Sequence, residues 1–284
     1  MTAQICIDWI SMTFKNGGSN EKQFLSLYSP RSQTRSATPR NGYTTASVST
    51  DGVLCMWHSN FPEMGLHVVF DGSTLRNIFT RCGVSAQKIL QEAAYAGASI
   101  TRLDLAADAE NEGIDMVSVW KAIERGEVVG TARKFSQMNG LRGGHTIYVG
   151  SRTSERFIRL YDKGAEMGIP NADWKRLELE TKGMMARAAT DALQRGETLS
   201  SVFNAFVTSS IDLPKSKHWQ RFLSDKDEAM DMVKMQKTTD TERWIETQVI
   251  AAVIRHYSEN KNSPAIERLR QALNFLDGTG NTTE

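Results

Sequence analysis

Polar and apolar residues alternate along several short stretches of the chain, and a period of two marks a half-buried strand. ICIDWISMTF (5–14) alternates this way and predicts a strand near the amino end. GGSNEKQFLSL (17–27) turns and starts a short helix. SPRSQTRSATPRNG (29–42) is rich in Ser, Thr, Arg and Pro and predicts a loop. YTTASVSTDGVLCMWHS (43–59) predicts two strands joined at Asp51-Gly52, a hairpin signal. GLHVVFDG (65–72) is a further short strand. Helical spacing follows in STLRNIF and in SAQKILQEAAYAG (85–97), where Gly97 supplies a stop. SITRLDLAADAE (99–110) alternates as a strand, and IDMVSVWKAIERGE (114–127) has helical spacing. HTIYVGSR and RFIRLYDK are consecutive strands around a turn at Thr153-Ser154. DWKRLELE (173–180) is a strand and TKGMMARAATDALQRGE (181–197) a helix.

Strands that follow one another through short turns favour antiparallel pairing. The expected class is α+β, an antiparallel sheet with helices packed on one face. The stretches 5–125 and 140–197 both run hairpin, strand, helix. That order admits an internal duplication, although no sequence repeat accompanies it. The texture changes after Pro214. RWIETQVIAAVIRHYSEN (243–260) and SPAIERLRQALNFL (263–276) predict helices, and DGTGNTTE a frayed tail. The expected organisation is a domain over 1–213 and a helical region over 214–284.

Composition narrows the function classes. The 284 residues carry a formal net charge of +1, so nucleic-acid binding would need a local basic patch. The loop at 29–42 holds Arg31, Arg35 and Arg40 and no acid, which suits a solvated loop and a DNA-contacting one equally. Cys6, Cys55 and Cys82 are far apart, odd in number and without C-x-x-C spacing. They read as reduced thiols. The five histidines form no H-x-H or H-E-x-x-H pattern, and GLRGG (140–144) matches no phosphate-binding loop. MTAQICIDWI lacks the features of a signal peptide, and no apolar run approaches the roughly 20 residues that span a bilayer. The chain reads as cytoplasmic.

Side chains two apart in a strand share a face. Arg102, Asp104, Ala106 and Asp108 therefore line one face of their strand, opposite Leu103 and Leu105. Arg176, Glu178 and Glu180 lie opposite Leu177 and Leu179. Arg159, Tyr161 and Lys163 lie opposite Ile158 and Leu160. A one-sided sheet facing water explains any one of these strands. It explains the combination poorly, because carboxylates, arginines and a tyrosine are what phosphoryl transfer to a protein nucleophile requires. Carboxylates are hard ligands for Mg²⁺ or Mn²⁺. Arginine and lysine orient a phosphate. A phenol attacks as phenoxide, and nearby cations are expected to lower its pKa.

DWISMTF, GLHVVFDGSTLR, TRLDLAAD, HTIYVGSRTSERFIRLYDKGAE and DWKRLELETK follow one another in an order and spacing that resembles the replication initiation factor (Rep-trans) family. That family comprises rolling-circle plasmid initiators, conjugative transposon relaxases and filamentous phage replication proteins. The resemblance covers roughly residues 5–225. It implies a site-specific DNA nickase and ligase whose tyrosine stays bound to the 5′ phosphate and leaves a 3′ hydroxyl for a polymerase. By resemblance the nucleophile falls on Tyr161, with Lys163 beside it in the catalytic set. The metal ligands fall on Asp104 and Glu178, for Mg²⁺ or Mn²⁺. Arg102, Arg152, Arg159 and Arg176 would contact DNA. Tyr148 is the rival nucleophile. The histidine-hydrophobe-histidine metal strand of many rolling-circle nucleases is missing, so the acidic strands take that role, or His67 or His145 joins them singly. The implied partners are an origin hairpin, a single-stranded nick site, a host helicase and polymerase, and a second copy of the chain.

Overall fold

The computed structural model describes residues 3–15, 17–140, 144–169, 171–223 and 249–276. The chain divides into two units, Met1–Met232 and Val233–Glu284.

The first unit is built on one ten-stranded sheet in which every pairing is antiparallel. Its first half runs β1 (Gln4–Phe14), α1 (Ser19–Tyr28), β2 (Thr34–Ser36), β3 (Thr45–Ser49), β4 (Leu54–Trp57), β5 (Leu66–Asp71), α2 (Gly72–Cys82) and α3 (Ala86–Tyr95). The second runs β6 (Ser99–Glu110), α4 (Met116–Glu124), β7 (Phe135–Asn139), β8 (His145–Gly150), β9 (Arg156–Asp162), a one-turn α5 (Lys163–Glu166), β10 (Trp174–Lys182), α6 (Gly183–Gln194) and α7 (Leu199–Ser210). The sheet order is β2-β3-β4-β5-β1-β6-β10-β9-β8-β7. Each half thus places its first strand at the centre and lays the others outward in reverse chain order. The two halves share one succession of major elements, which is the duplication their order admits.

Alternation explains which face each strand buries. Ile10, Met12, Val68, Phe70, Leu103, Leu105, Leu177, Leu179, Ile158 and Leu160 point to one side and join a single core with α2, α3, α4, α6 and α7. The helices therefore cover one face, as the patterning predicts. The opposite face stays open and carries the candidate site.

Three elements escape the alternation argument. Inside the expected loop at 29–42 lie a short 3-10 turn, Arg31–Gln33, and the edge strand β2. β7 is another edge strand, and four of its five residues are exposed. Helix α7 buries residues all round, including Ser201, Asn204 and Ser210, so it shows no amphipathic stripe. Beyond α7 the first unit adds α8 (Lys217–Gln220), and Trp219 and Phe222 are fully buried in the same core.

In the second unit, α9 (Ala251–Glu259) and α10 (Pro264–Leu276) occupy the places of the two expected helices. His256 Nε2 meets Ser263 Oγ at 2.7 Å, between the two helices. Residues 243–248 of the first expected helix and the tail from 277 lie outside the described residues, as do residues 141–143 of GLRGG.

Candidate active site

β10 is the spine of the site. Its register sets Glu178 beside Arg159 of β9, Glu180 beside Asp104 of β6, and Arg176 between Tyr161 and Asp108. β8 continues the row, with Tyr148 beside Arg159 and Thr146 beside Tyr161. The charged residues of three separate strands therefore meet on one face of one sheet. They line a groove of about 610 Å³ that includes Arg102, Asp104, Tyr148, Arg159, Tyr161, Lys163 and Glu178.

The carboxylates sit deep. Asp104 is 1% exposed, Glu178 5% and Glu180 7%. Burial pushes Asp104 up to about 7 against the pull of Arg102, with Glu178 and Glu180 adding to the rise. Burial likewise raises Glu178, and Arg159 opposes it. Two arginines answer this demand for positive charge. Arg102 donates to both Asp104 oxygens, at 2.9 and 2.5 Å, and also reaches Glu180 at 2.8 Å. Arg159 binds Glu178 and keeps its Nε buried without a partner. The ring of Trp9 lies under Arg102, with the guanidinium 4.5 Å from its centroid.

Arg176 has a different place. It is 5% exposed, does not line the groove, and donates to Asp108 at 2.8 and 2.7 Å and to Asp8 at 3.0 Å. Burial works against its charge, and Asp108 and Asp8 outweigh it. Arg176 does not pair with Glu178, because Arg159 takes Glu178. Arg152 also stays out of the groove. It sits in the β8–β9 turn, 5.8 Å from the ring centres of Tyr148 and Phe157. Lys163 departs from its expected strand position. Asp162 ends β9 and caps α5, so Lys163 opens a helix, pairs with Glu166, and lies 5.8 Å from the Tyr161 ring centre.

Tyr161 departs in its electrostatics. Flanking cations were expected to lower its pKa, yet burial raises it and the charge of Glu178 raises it further, while Arg176 pulls the other way. Arg159 and Lys163 are each engaged by an acid.

Among the described residues, no group of three or more His, Cys, Asp or Glu side chains is arranged to hold a metal ion. Asp104 and Glu178 nevertheless fit such an ion in kind: they are hard oxygen donors, both buried, and the charge of Glu178 helps to raise Asp104. The arginines now supply the compensating charge. His145 lines the groove and bonds Gln137 at 2.8 Å. His67 lies on β5, outside the groove, bonded to Thr13 at 3.0 Å and stacked on Tyr43.

The sequence argument passed over Asp8, Asp71 and Arg76, which also line the groove. Asp8 is the extra residue of a bulge, because the register steps from Ile7↔Leu105 to Trp9↔Asp104. A bulge re-aims a side chain. Gly72 makes room for it, since a Cβ there would stand 2.6 Å from Asp8 Oδ1. The signal was available in the shared Ile-Asp and Leu-Asp steps of CIDWIS and RLDLA.

An antiparallel sheet helical on one side, with acids, arginines and tyrosines gathered on the other, defines an α+β protein equipped for phosphate chemistry. Residues 98–270 match the Replication initiation factor family, more than half of the chain, and the chain belongs to that family. It is also 31% identical over 153 residues to a Bacillus subtilis (strain 168) protein carrying the name DNA relaxase NicK. That match covers 47% of this chain and 43% of the relative's length. The fold resembles a solved structure, a rolling circle replication initiator protein from Geobacillus stearothermophilus. The TM-score is 0.64 at 21% identity, over 79% of this chain and 90% of that one.

Proposed function

We propose that the chain initiates rolling-circle DNA replication by nicking one strand at an origin and later resealing it. The observation that carries this reading is the shared groove: Tyr161, Arg102, Arg159, Asp104 and Glu178 all open into one cleft on the uncovered face. In the nicking step the Tyr161 oxygen bonds to a backbone phosphorus and the bond from phosphorus to the 3′ oxygen breaks. The phenolic proton is balanced by one gained on the departing 3′ oxygen. The product is a 5′-phosphotyrosyl link, which the free 3′ hydroxyl reverses on religation.

The protein's own residues divide the labour. Arg102 and Arg159 carry the positive charge that an incoming phosphate competes for. Lys163 stands over the tyrosine ring. Asp104 and Glu178 would hold a divalent ion, Mg²⁺ or Mn²⁺, which when bound supplies charge to polarise the scissile phosphate. Arg152 serves as an outlying DNA contact, and Arg176, bound to Asp8 and Asp108, braces the strand beside Tyr161. Nicking is assigned to residues 1–213 and an accessory role to 214–284. The substrate is an origin hairpin with a single-stranded nick site, and a helicase, a polymerase and a second copy of the chain are the expected associates. No helix among the described residues is long and apolar enough to cross a membrane, and the cytoplasm is the proposed place of action.

The test uses supercoiled plasmid bearing the cognate origin, with Mn²⁺. Tyr161→Phe should retain DNA binding and lose both nicking and the covalent 5′ adduct. Tyr148→Phe should keep both. Loss in Tyr148→Phe alone would move the nucleophile to β8. Cleavage that survives loss of Tyr161 but not of Asp104 or Glu178 would point to a water-using nuclease. Binding without any adduct in the parent protein would leave only an origin-binding role.

A further inference from the structure

A second groove, of about 440 Å³, lies on the same open face and is lined by Trp9, Ser11, Arg40, Asn41, His67, Val69, Thr101, Arg102 and Lys182. Six of these residues come from the first half of the sheet, and Thr101, Arg102 and Lys182 come from β6 and β10 of the second. The β1–β6 pair carries two bulges. One places Asp8 in the catalytic groove. The other leaves Thr101 unpaired between Ser11↔Arg102 and Met12↔Ile100, at the edge of the second groove. The catalytic groove takes residues from the end of β5, and the second takes Lys182 from the end of β10.

Its lining chemistry differs from that of its counterpart. No carboxylate and no tyrosine lines it. Three cations do, and Arg40 has no carboxylate partner among the described residues. The turn Asn41-Gly42, with both residues at positive φ, folds the loop so that Arg40 and Asn41 reach the groove. Aromatic faces are present as well: Trp9 on the floor, and His67 stacked on Tyr43 with ring centres 5.6 Å apart. The hydroxyl of Thr101 is buried without a partner. Cations beside aromatic rings are the recurring equipment for single-stranded nucleic acid, where rings stack bases and cations follow the backbone. Trp9 and Arg102 line both grooves, so the two form one continuous track. Four strand steps separate β9 from β5, about 19 Å at the usual spacing, which a few nucleotides of extended strand can bridge.

We infer that the second groove is a binding subsite for single-stranded DNA, where the first half grips, without cleaving, nucleotides of the strand whose scissile phosphate lies at Tyr161. The inference rests on the proposed nicking role for the position of that phosphate, but not for the binding itself.

The full chain is titrated into a labelled oligothymidylate of about twelve nucleotides, within the range that single-strand-binding folds cover, and into a duplex of equal length. Arg40 is exposed, so Arg40→Ala should fold normally. It should weaken single-strand binding roughly fivefold and lower the slope of log affinity against log salt by about 0.7, one phosphate contact. Arg40→Lys should restore both. A 5-iodouracil oligonucleotide should photocrosslink to Trp9 or His67. Unchanged affinity and salt slope in Arg40→Ala, or crosslinks confined to Tyr148 and Tyr161, would overturn the subsite. An equal loss on duplex would reassign the groove to double-stranded DNA and overturn it too. The covalent adduct, measured separately, reports on Tyr161: its absence beside an Arg40 effect would sink the nickase and spare the subsite.

Discussion

The two halves of the sheet share a layout and differ in what their open faces carry. In the second half, Asp104, Glu178, Arg159 and Tyr161 stand on successive strands. In the first half, the strands outward from β1 carry Val69, Leu54, Met56 and Ala46 on that face, and Ala46, Met56 and Val69 form a small apolar cluster with Trp9, Ala37, Tyr43 and Leu54. One half packs hydrocarbon beside its cation-lined groove; the other holds acid–arginine pairs beside Tyr161. A common backbone thus supports two open faces of different chemistry, and side-chain choice separates them. Helix starts differ in the same way. Asp71 caps α2 by accepting from Thr74 N at 2.8 Å, whereas Lys182 gives α6 no side-chain cap.

That contrast can be broken experimentally. Removing the brace on the reactive side should cost most: Arg176→Ala leaves Asp8 and Asp108 without their shared partner, a loss of roughly 3 kcal/mol, read by urea denaturation. Met56→Ala, on the quiet side, truncates a fully buried side chain and should cost about 2–3 kcal/mol, while nicking per folded molecule stays unchanged. Impaired nicking there would mean the apolar face takes part in the chemistry. Asp71→Ala should cost about 1 kcal/mol through the lost cap, seen as a small fall in Tm.

A pH dependence sharpens the comparison further. Burial, aided by Arg40, holds His67 down at about 4, below its ordinary 6.5. The unfolded chain therefore takes up a proton that the native state refuses. The stabilising contribution is whole above about 6.5 and fades as pH falls towards 4. His67→Gln should flatten that part of a Tm-against-pH curve; an unchanged slope would remove His67 from the account.

Much of this was legible in the chain itself. Alternation at β1, β5, β6, β9 and β10 is clean because the helix-covered face takes apolar residues while the opposite face takes polar and charged ones, and that also fixed which charged residues share a surface. α7 was illegible because it is buried all round and offers no contrast between sides. β2 and β7 are edge strands, whose exposed residues carry little pattern. At the site, shared faces were readable but partnerships were not. Nothing in the spacing says that Arg159, rather than Arg176, takes Glu178, since that depends on the register of β10 against β9. Nor does spacing say how deep Tyr161 lies, so the direction of its pKa came out reversed. Asp8 was hidden because a bulge breaks the very periodicity used to find such residues.

The central position of β1 bears on how the molecule assembles. Ile10 pairs with Phe70 on one side and with Leu103 on the other, so β1 waits for partners made much later in the chain. Such distant pairings close large loops and slow folding, whereas β3–β4 and β8–β9 join through short turns. The outer hairpins can therefore form early, and the seam between β1 and β6 closes late. Trp9, Arg102 and Asp104 sit on that seam, so the groove they line is complete only when the two halves of the sheet have joined.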